Sequence, residues 1–464
     1  MVAVRAISES LIHRNDRVDF THRPARHRRS VKRELEATFS RALERIALSR
    51  VIPGKVRCVD GVLEVGCEAI ELDRYERLWV VAFGKAGFQM AGILADIVSP
   101  RRLSGIVAGT AESTHPLPGF SCFRGGHPYP NAESFRAGDA VIELLDRIGP
   151  NDLVIYLLSG GGSAICEKPL FPEISLEDCR AFYERLVTCG ANIIDVNFVR
   201  KHFSAVKGGR LTERAWPAHQ VTLYVSDAPP DSASNVASGP TMPDESTVED
   251  CYAILDELGV MPHLPASIRG LIESREIPET PKPANASFQT SSWHCLLSPE
   301  DAVEALSAEA TRCGFHPVID WSVTDDTPLD EATGRLLRRL DAMRDAHPDE
   351  TVAVVAGGEL SCTVQGRGVG GRNQAFVLGC VPAIAGKKIA VLSAGTDGID
   401  GISPAAGAVA DGDTLGRARG FGLDVADYAR RSDSHSFFAR LGDTITIGPT
   451  GNNVRDLRIL VGWP

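Results

Sequence analysis

The sequence predicts an α/β protein of two domains, each a mainly parallel sheet flanked by helices, with an active-site cleft between them. Three observations predict it. Residues 153–158 form a mostly apolar run without a break, the pattern of a strand buried on both faces, and they open directly into Ser159-Gly160-Gly161-Gly162-Ser163. Similar runs recur at 78–83, 221–225, 351–356 and 389–392, with helical periodicity between them and glycine-bearing loops after most of them. The chain has 464 residues, enough for two or three cores, and its 43% hydrophobic and 23% charged residues are ordinary for globular proteins.

Composition removes several function classes. A net charge of −11 argues against a nucleic-acid-binding body. No apolar run is long enough to span a bilayer, and the N-terminus lacks the apolar core of a signal peptide. Eleven cysteines without a Cys-x-x-Cys pair fit reduced thiols better than disulfides or zinc. The expectation is a cytoplasmic enzyme, monomeric or homodimeric, with no nucleic-acid or membrane partner.

Residues 1–30 are polar and arginine-rich (Arg23, Arg26, Arg28, Arg29) and read as a disordered arm. Residues 31–48 carry Leu35, Phe39, Ala42 and Ile46 at helical spacing. The strand 78–83 runs into Gly84-Lys85-Ala86-Gly87 and then a helix. Lys85 therefore stands beside the positive end of a helix, either to meet an anion or as a solvated surface lysine. A short strand at 105–109 precedes the turn around His127, where Asn131 is a candidate helix cap with Ser134 one turn on. His127 either faces a ligand or shapes the turn.

Adjacent glycines at Gly160, Gly161 and Gly162 admit a ligand to the main chain, and Ser159 and Ser163 can add hydroxyls. This reads as an anion cradle at the end of a central strand. A helix is expected at 175–190. Residues 197–211 are read as another, with Arg200, Ser204 and Lys207 on one face, either a ligand-facing or a solvated basic face. Strand 221–225 ends at Asp227, and Asp231 and Ser238 follow in the next loop. A carboxylate there suits a metal, a substrate hydroxyl or a turn cap.

Residues 265–287 are rich in Pro, Glu and Ser and mark the expected boundary between domains at 31–275 and 276–464. Beyond it, 294–297 is a weak strand, and 299–313 and 330–346 are helices. Strand 351–356 precedes Gly357-Gly358-Glu359, and the loop 366–371 carries Arg367 and ends at Gly371-Arg372-Asn373 before a helix. Strand 389–392 leads to Thr396 and Asp397, and 444–447 is expected as the last strand. Glycine loops, cations (Lys85, Arg372) and strand-end aspartates (Asp227, Asp397) suit phosphoryl transfer, whose transition state spreads negative charge over oxygens. The dinucleotide fingerprint that hydride transfer usually needs is absent.

Ordered blocks across about 31–463 resemble the class II glycerate kinase family, whose C-terminal part is the MOFRL domain (here about 350–460). They include Gly84-Lys85-Ala86, His127-Pro128-Tyr129-Pro130, Leu158-Ser159-Gly160-Gly161-Gly162-Ser163-Ala164, Lys207-Gly208-Gly209-Arg210, Ser238-Gly239-Pro240-Thr241, Gly370-Gly371-Arg372-Asn373-Gln374, Gly395-Thr396-Asp397-Gly398 and Gly448-Pro449-Thr450-Gly451. The resemblance implies ATP- and Mg²⁺-dependent phosphorylation of the 2-hydroxyl of D-glycerate, with Lys85 and Arg372 catalytic. It places Ser159 to Ser163, Lys207, Gly371 and Asn373 on phosphate or nucleotide, and His127, Arg200, Ser238 and Thr396 on substrate. Asp227 and Asp397 are the metal candidates. The chain departs from the family pattern at Pro230-Asp231-Ser232 and at Ser298-Pro299. The alternatives are a related small sugar acid as acceptor, a hydroxypyruvate reductase (an older label in the family) and a non-catalytic metabolite sensor.

Overall fold

The computed structural model describes residues 24–111, 116–228, 230–325 and 327–464, with side chains at all of these except 24–30 and 230–233. Three short antiparallel strands come first: β1 (Val56–Val59), β2 (Val62–Val65) and β3 (Glu68–Glu71). The first large sheet contains β4 (Arg77–Phe83), β5 (Ser104–Gly109), β6 (Phe120–Arg124), β7 (Asp152–Leu158), β8 (His219–Val225) and β9 (Ser291–Leu297). Its order is β6-β5-β4-β7-β8-β9, and every pair is parallel. All seven residues of β7 are buried, as its unbroken apolar run requires.

From β4 the chain winds outward through β5 and β6; from β7 it winds the other way. The chain therefore leaves β4 and β7 in opposite directions along the sheet, and their carboxyl ends form its topological switch point. The flanking helices start where side chains satisfy their free amides. Asn131 and Ser134 form a capping box on Ala132–Leu145, and Ser175 caps Leu176–Thr188.

The second sheet contains β10 (His316–Ile319), β11 (Val352–Gly357), β12 (Ile389–Gly395), β13 (Gly407–Asp411), β14 (Thr444–Ile445) and β15 (Asp456–Gly462), in the order β10-β11-β15-β12-β13-β14. It is mixed rather than mainly parallel, because β15 inserts antiparallel between β11 and β12. The last strand is thus β15, not 444–447. Its insertion brings Asp456, at the start of β15, level with Gly395 at the end of β12.

Three further expectations change. The sixth strand of the first sheet is β9, so strand pairing carries that sheet to Leu297, past the expected boundary at 275. The helix expected over 197–211 is two pieces, Ile193–Phe203 and Arg210–Ala215, separated by Gly208 and Gly209 at φ 57° and 80°. Arg200, Ser204 and Lys207 consequently share no helical face. The first helix runs from Pro24 to Arg45 and so includes the end of the expected arm; residues 1–23 lie outside the described residues.

That first helix packs on the second sheet's layer, against Pro299–Arg312 and β13. Lys32, its second described side chain, is buried 2.8 Å from Asp443. One apolar cluster runs from Val80 and Leu157 in the first sheet to Val355 and Leu392 in the second, and it includes Leu35 and Phe39. This shared core fixes the two sheets against each other. A chain beginning at Val31 keeps every buried side chain described in this helix and is expected to retain its kcat. A large loss of kcat on that truncation would show that residues 1–30 contribute to the site or to assembly.

Candidate active site

The loops after β4 and β7 are stitched together at the switch point. Lys85 N–H donates to the Gly160 carbonyl (2.9 Å), and Ala86 N–H donates to Ser159 Oγ (3.0 Å). Gly84, at φ 125°, is required here, since a Cβ would lie 2.2 Å from Ser159 Oγ. The next glycines admit functional side chains rather than open space. A Cβ on Gly160 would sit 2.3 Å from Asp227 Oδ2, and one on Gly161 would sit 2.9 Å from His127 Cδ2 and 3.2 Å from Lys85 Cγ. The glycine run thus lets Lys85, His127 and Asp227 converge. Ser163 Oγ bonds Ser238 Oγ (2.7 Å), which donates to Asn197 Oδ1 (2.9 Å). Ala237 and Ser238 both hold positive φ (52° and 61°), a strained backbone of the kind that gathers at binding sites.

Lys85 carries the charge of this crevice. Its Nζ is partly exposed and lies 3.8 Å from Asp397 Oδ2, across on the second sheet. Burial pushes the Asp227 carboxyl up, while its own backbone amide, Lys85 and Arg455 pull it down. Arg455 Nε donates to the Asp227 carbonyl (2.6 Å), tying the two halves together. Asp397 Oδ1 accepts from Ile399 N–H (3.0 Å), which leaves Oδ2 toward Lys85. Two partly exposed carboxylates, one from each half, flank the same lysine. That donor set fits Mg²⁺, which needs one or two carboxylates beside phosphate oxygens.

Arg372 opens the helix Arg372–Ile384. Its Nε contacts Asp456 Oδ2 at 2.5 Å, and its Nη2 contacts Glu359 Oε1 at 2.7 Å. Burial alone would lower the guanidinium's pKa; Asp456 and Glu359 more than reverse it, so Arg372 stays charged. Burial pushes the Glu359 carboxyl up to about 6, with Asp456 adding to the rise and Arg372 opposing it. The two cationic centres meet through carboxylates. Asp397 Oδ1 and Asp456 Oδ1 lie 3.1 and 3.5 Å from the point where a Gly395 Cβ would stand. Lys85 faces the first of these aspartates and Arg372 the second, so both cations line one crevice.

The free enzyme should show this arrangement in its pH profile. With its carboxyl pushed up to about 6, Glu359 should release Arg372 Nη2 on protonation and hold the fork in place as the carboxylate. The expected result is a kcat/KM that rises through an apparent pKa of about 6. Glu359→Gln should lose that limb, and an unaltered acid limb in the variant would remove Glu359 from the titration.

Arg200 is a further cation close enough to act on His127. It is 7% exposed, its guanidinium carbon stands 4.4 Å from the centre of the Tyr183 ring, and its Nε is buried without a partner. Among the described residues it has no carboxylate within ion-pair distance. Partial burial, Lys85 and Arg200 push the His127 imidazole down to about 4, so it is neutral at physiological pH.

Other residues expected in the site serve its frame. Lys207 is buried against Glu167 and Ser204, behind the crevice. The Ser159 hydroxyl is occupied by Ala86. Thr396 donates to the Arg455 carbonyl (2.7 Å) and accepts from Val454 N–H (2.9 Å). Asn373 is buried, and its N–H, like that of Gln374, is capped by Asp400 (3.0 and 2.9 Å). Gly371 makes room for the same aspartate, at 2.2 Å from a would-be Cβ. This helix N-terminus therefore holds an internal anion instead of a phosphate. The loop glycines at 366, 368 and 370 pack on residues 431–435. Asp231 and Ser232 have side chains outside the described residues.

Residues 34–273 match the model of a domain of unknown function (DUF4147), and 352–456 match the MOFRL family. A D-glycerate 2-kinase from Thermotoga maritima is 35% identical over 83% of this chain and 90% of its own length. The chain belongs to the class II glycerate kinase family. The crystal structure of a Thermotoga maritima glycerate kinase matches it with a TM-score of 0.79 at 31% identity, over 94% of this chain and all of that one. A relative from Agrobacterium vitis that carries a hydroxypyruvate reductase name is 35% identical over 92% of this chain and 96% of its own.

Asp456, Arg455 and Asp325 are the crevice residues that sequence reasoning missed. Arg455, in the family block that starts at Gly448, pairs with Asp325 and holds φ 68°. Strain at a non-glycine residue is invisible in a sequence. Glu359 stands in a loop already singled out, but its contact with Arg372 is a product of the fold.

Proposed function

We propose that this chain transfers the γ-phosphoryl group of ATP to the 2-hydroxyl of D-glycerate, giving 2-phosphoglycerate. The observation that carries the proposal is that Lys85 and Arg372 face two neighbouring aspartates, Asp397 and Asp456, in a chain of this family. The acceptor oxygen attacks the γ-phosphorus as the bond to the β,γ-bridging oxygen breaks; ADP leaves, the hydroxyl proton is released, and negative charge spreads over the transferring oxygens. Lys85 is a compact charge for one side of that group and Arg372 a planar fork for the other. Ser163 and the amides of Gly160 and Gly161 suit the remaining phosphates. Mg²⁺ held by Asp227, Asp397 and phosphate oxygens would neutralise charge on the nucleotide. Neutral His127 offers a hydrogen bond to the acceptor, and Arg200, whose buried Nε has no partner among the described residues, a cation for its carboxylate.

The test is initial rates with MgATP against a panel of three- and four-carbon hydroxy acids, with the phosphorylated position read by ³¹P NMR. D-Glycerate should give the highest kcat/KM and phosphate on the 2-oxygen. NADH oxidation with hydroxypyruvate in the absence of ATP would instead support the reductase reading. Asp227→Asn and Asp397→Asn should each raise the Mg²⁺ concentration needed for half-maximal rate. An unchanged Mg²⁺ dependence in both variants would take these carboxylates out of metal binding.

A further inference from the structure

At the opposite end of β11 from Glu359, two histidines and a glutamate converge. His316 begins β10; His347 and Glu350 form the turn between the helix Leu329–Ala346 and β11. His316 Nδ1 lies 2.7 Å from Glu350 Oε2, and His347 Nδ1 lies 3.3 Å from Glu350 Oε1. The two imidazole centroids are 4.5 Å apart. One ligating atom from each residue falls within 4.8 Å of the others. The backbone fixes this arrangement: His316 N–H donates to the Thr351 carbonyl (2.8 Å), and Glu350 N–H donates to the His347 carbonyl (3.1 Å).

We propose that His316, His347 and Glu350 form a second cation site, selective for a borderline divalent transition ion such as Zn²⁺ or Co²⁺, on the face remote from the catalytic crevice. Two imidazole nitrogens and one carboxylate oxygen suit such an ion, whereas Mg²⁺ prefers an all-oxygen shell. Bonds of about 2.0–2.2 Å to nitrogen and oxygen place ligand atoms about 3–4 Å apart, close to the spacing already present. On binding, each neutral imidazole carries its single proton on Nε2 and offers the Nδ1 lone pair to the ion, which replaces the two contacts now made with Glu350. The three side chains are 37–53% exposed, which leaves a coordination position open to water. The hydrogen bonds alone give little reason for this convergence, since exposed pairs of this kind contribute little to stability. Bound metal would join the start of β10 to the turn before β11, clipping the edge of the second sheet.

Co²⁺ is the probe, because its visible spectrum separates nitrogen and oxygen ligands from thiolates. This matters because Cys67 and Cys122 are exposed. Full-length protein is titrated with Co²⁺ in the presence of excess Mg²⁺. One ion per chain should bind with d–d bands and no thiolate charge-transfer band, and the melting temperature should rise. His316→Ala and His347→Ala should each weaken binding by more than about 10–100-fold, the loss that even an outer-sphere partner causes. Glu350→Gln should weaken it without changing the melting temperature measured in chelator. All three variants should keep wild-type kcat with MgATP and glycerate, so the result is independent of the kinase reading. The proposal is overturned by a thiolate spectrum, by absence of saturable binding, or by binding that survives His316→Ala and His347→Ala.

Discussion

Lys85→Ala is expected to lower kcat about 10³-fold or more, the size of effect seen when a cation is removed from a transferring phosphoryl group. The melting temperature should stay close to wild type. Lys85 Nζ is partly exposed and its one ion pair, with Asp397, is long at 3.8 Å, so little of the fold depends on it. Arg372→Ala should cost at least as much in kcat but should also lower the melting temperature. It would leave Asp456 and Glu359 facing each other without the cation between them. The informative variant there is Arg372→Lys. It keeps the charge but has no planar fork, so it should recover stability better than turnover. Single-turnover rates beside melting curves test all three. A well-folded Lys85→Ala protein with near-wild-type kcat would remove Lys85 from the mechanism. Full recovery of turnover by Arg372→Lys would show that charge suffices without the fork.

The two cations were legible because each follows a glycine-bearing loop, and the loops themselves follow strands whose burial the sequence announces. Strands β4 and β7 are continuous apolar runs, and residues of a parallel sheet buried on both faces can be little else. Strand β15 carries no such pattern. Arg458 sits in its middle, fully buried, with Nη1 on the carbonyls of Gly357 and Gly358 (3.1 and 2.8 Å) and Nη2 3.3 Å from Asp456. A buried arginine held through its two Nη groups reads in sequence as a solvated one. The same limit explains Lys207 and Asn373. Both stand in motif blocks beside glycines, as phosphate ligands often do, yet both turn inward, to Glu167 and to Asp400 and Ser393. The partners that decide their roles lie 40 residues away for Lys207 and 27 and 20 for Asn373. Local spacing carries no information about them. Asp456 meets Arg372 across 84 residues and escaped notice for the same reason.

Arg200→Met is expected to raise the KM for glycerate about 10²-fold or more, the equivalent of about 3 kcal/mol for two charge-assisted hydrogen bonds, and yet to raise the melting temperature. Both effects have one cause. A guanidinium that is 7% exposed, stacked on Tyr183 and without an acidic partner among the described residues loses hydration and gains little in the free protein. Its position beside His127, in the crevice that Lys85 shares, is justified if a carboxylate supplies the missing charge. Methionine keeps an apolar stem against the Tyr183 ring while removing the buried charge, so the unliganded fold should gain stability as binding is lost. The KM for ATP should hardly change. Selectivity for glycerate over glycerol, which lacks the carboxylate, should collapse, because only the charged acceptor benefits from Arg200. Glycerate should also stabilise the wild type against heat and fail to do so in the variant. A lower melting temperature with an unchanged glycerate KM would mean that Arg200 serves packing. In that case the carboxylate would have to bind elsewhere in the crevice, with Lys85 or Arg372 as the remaining cations.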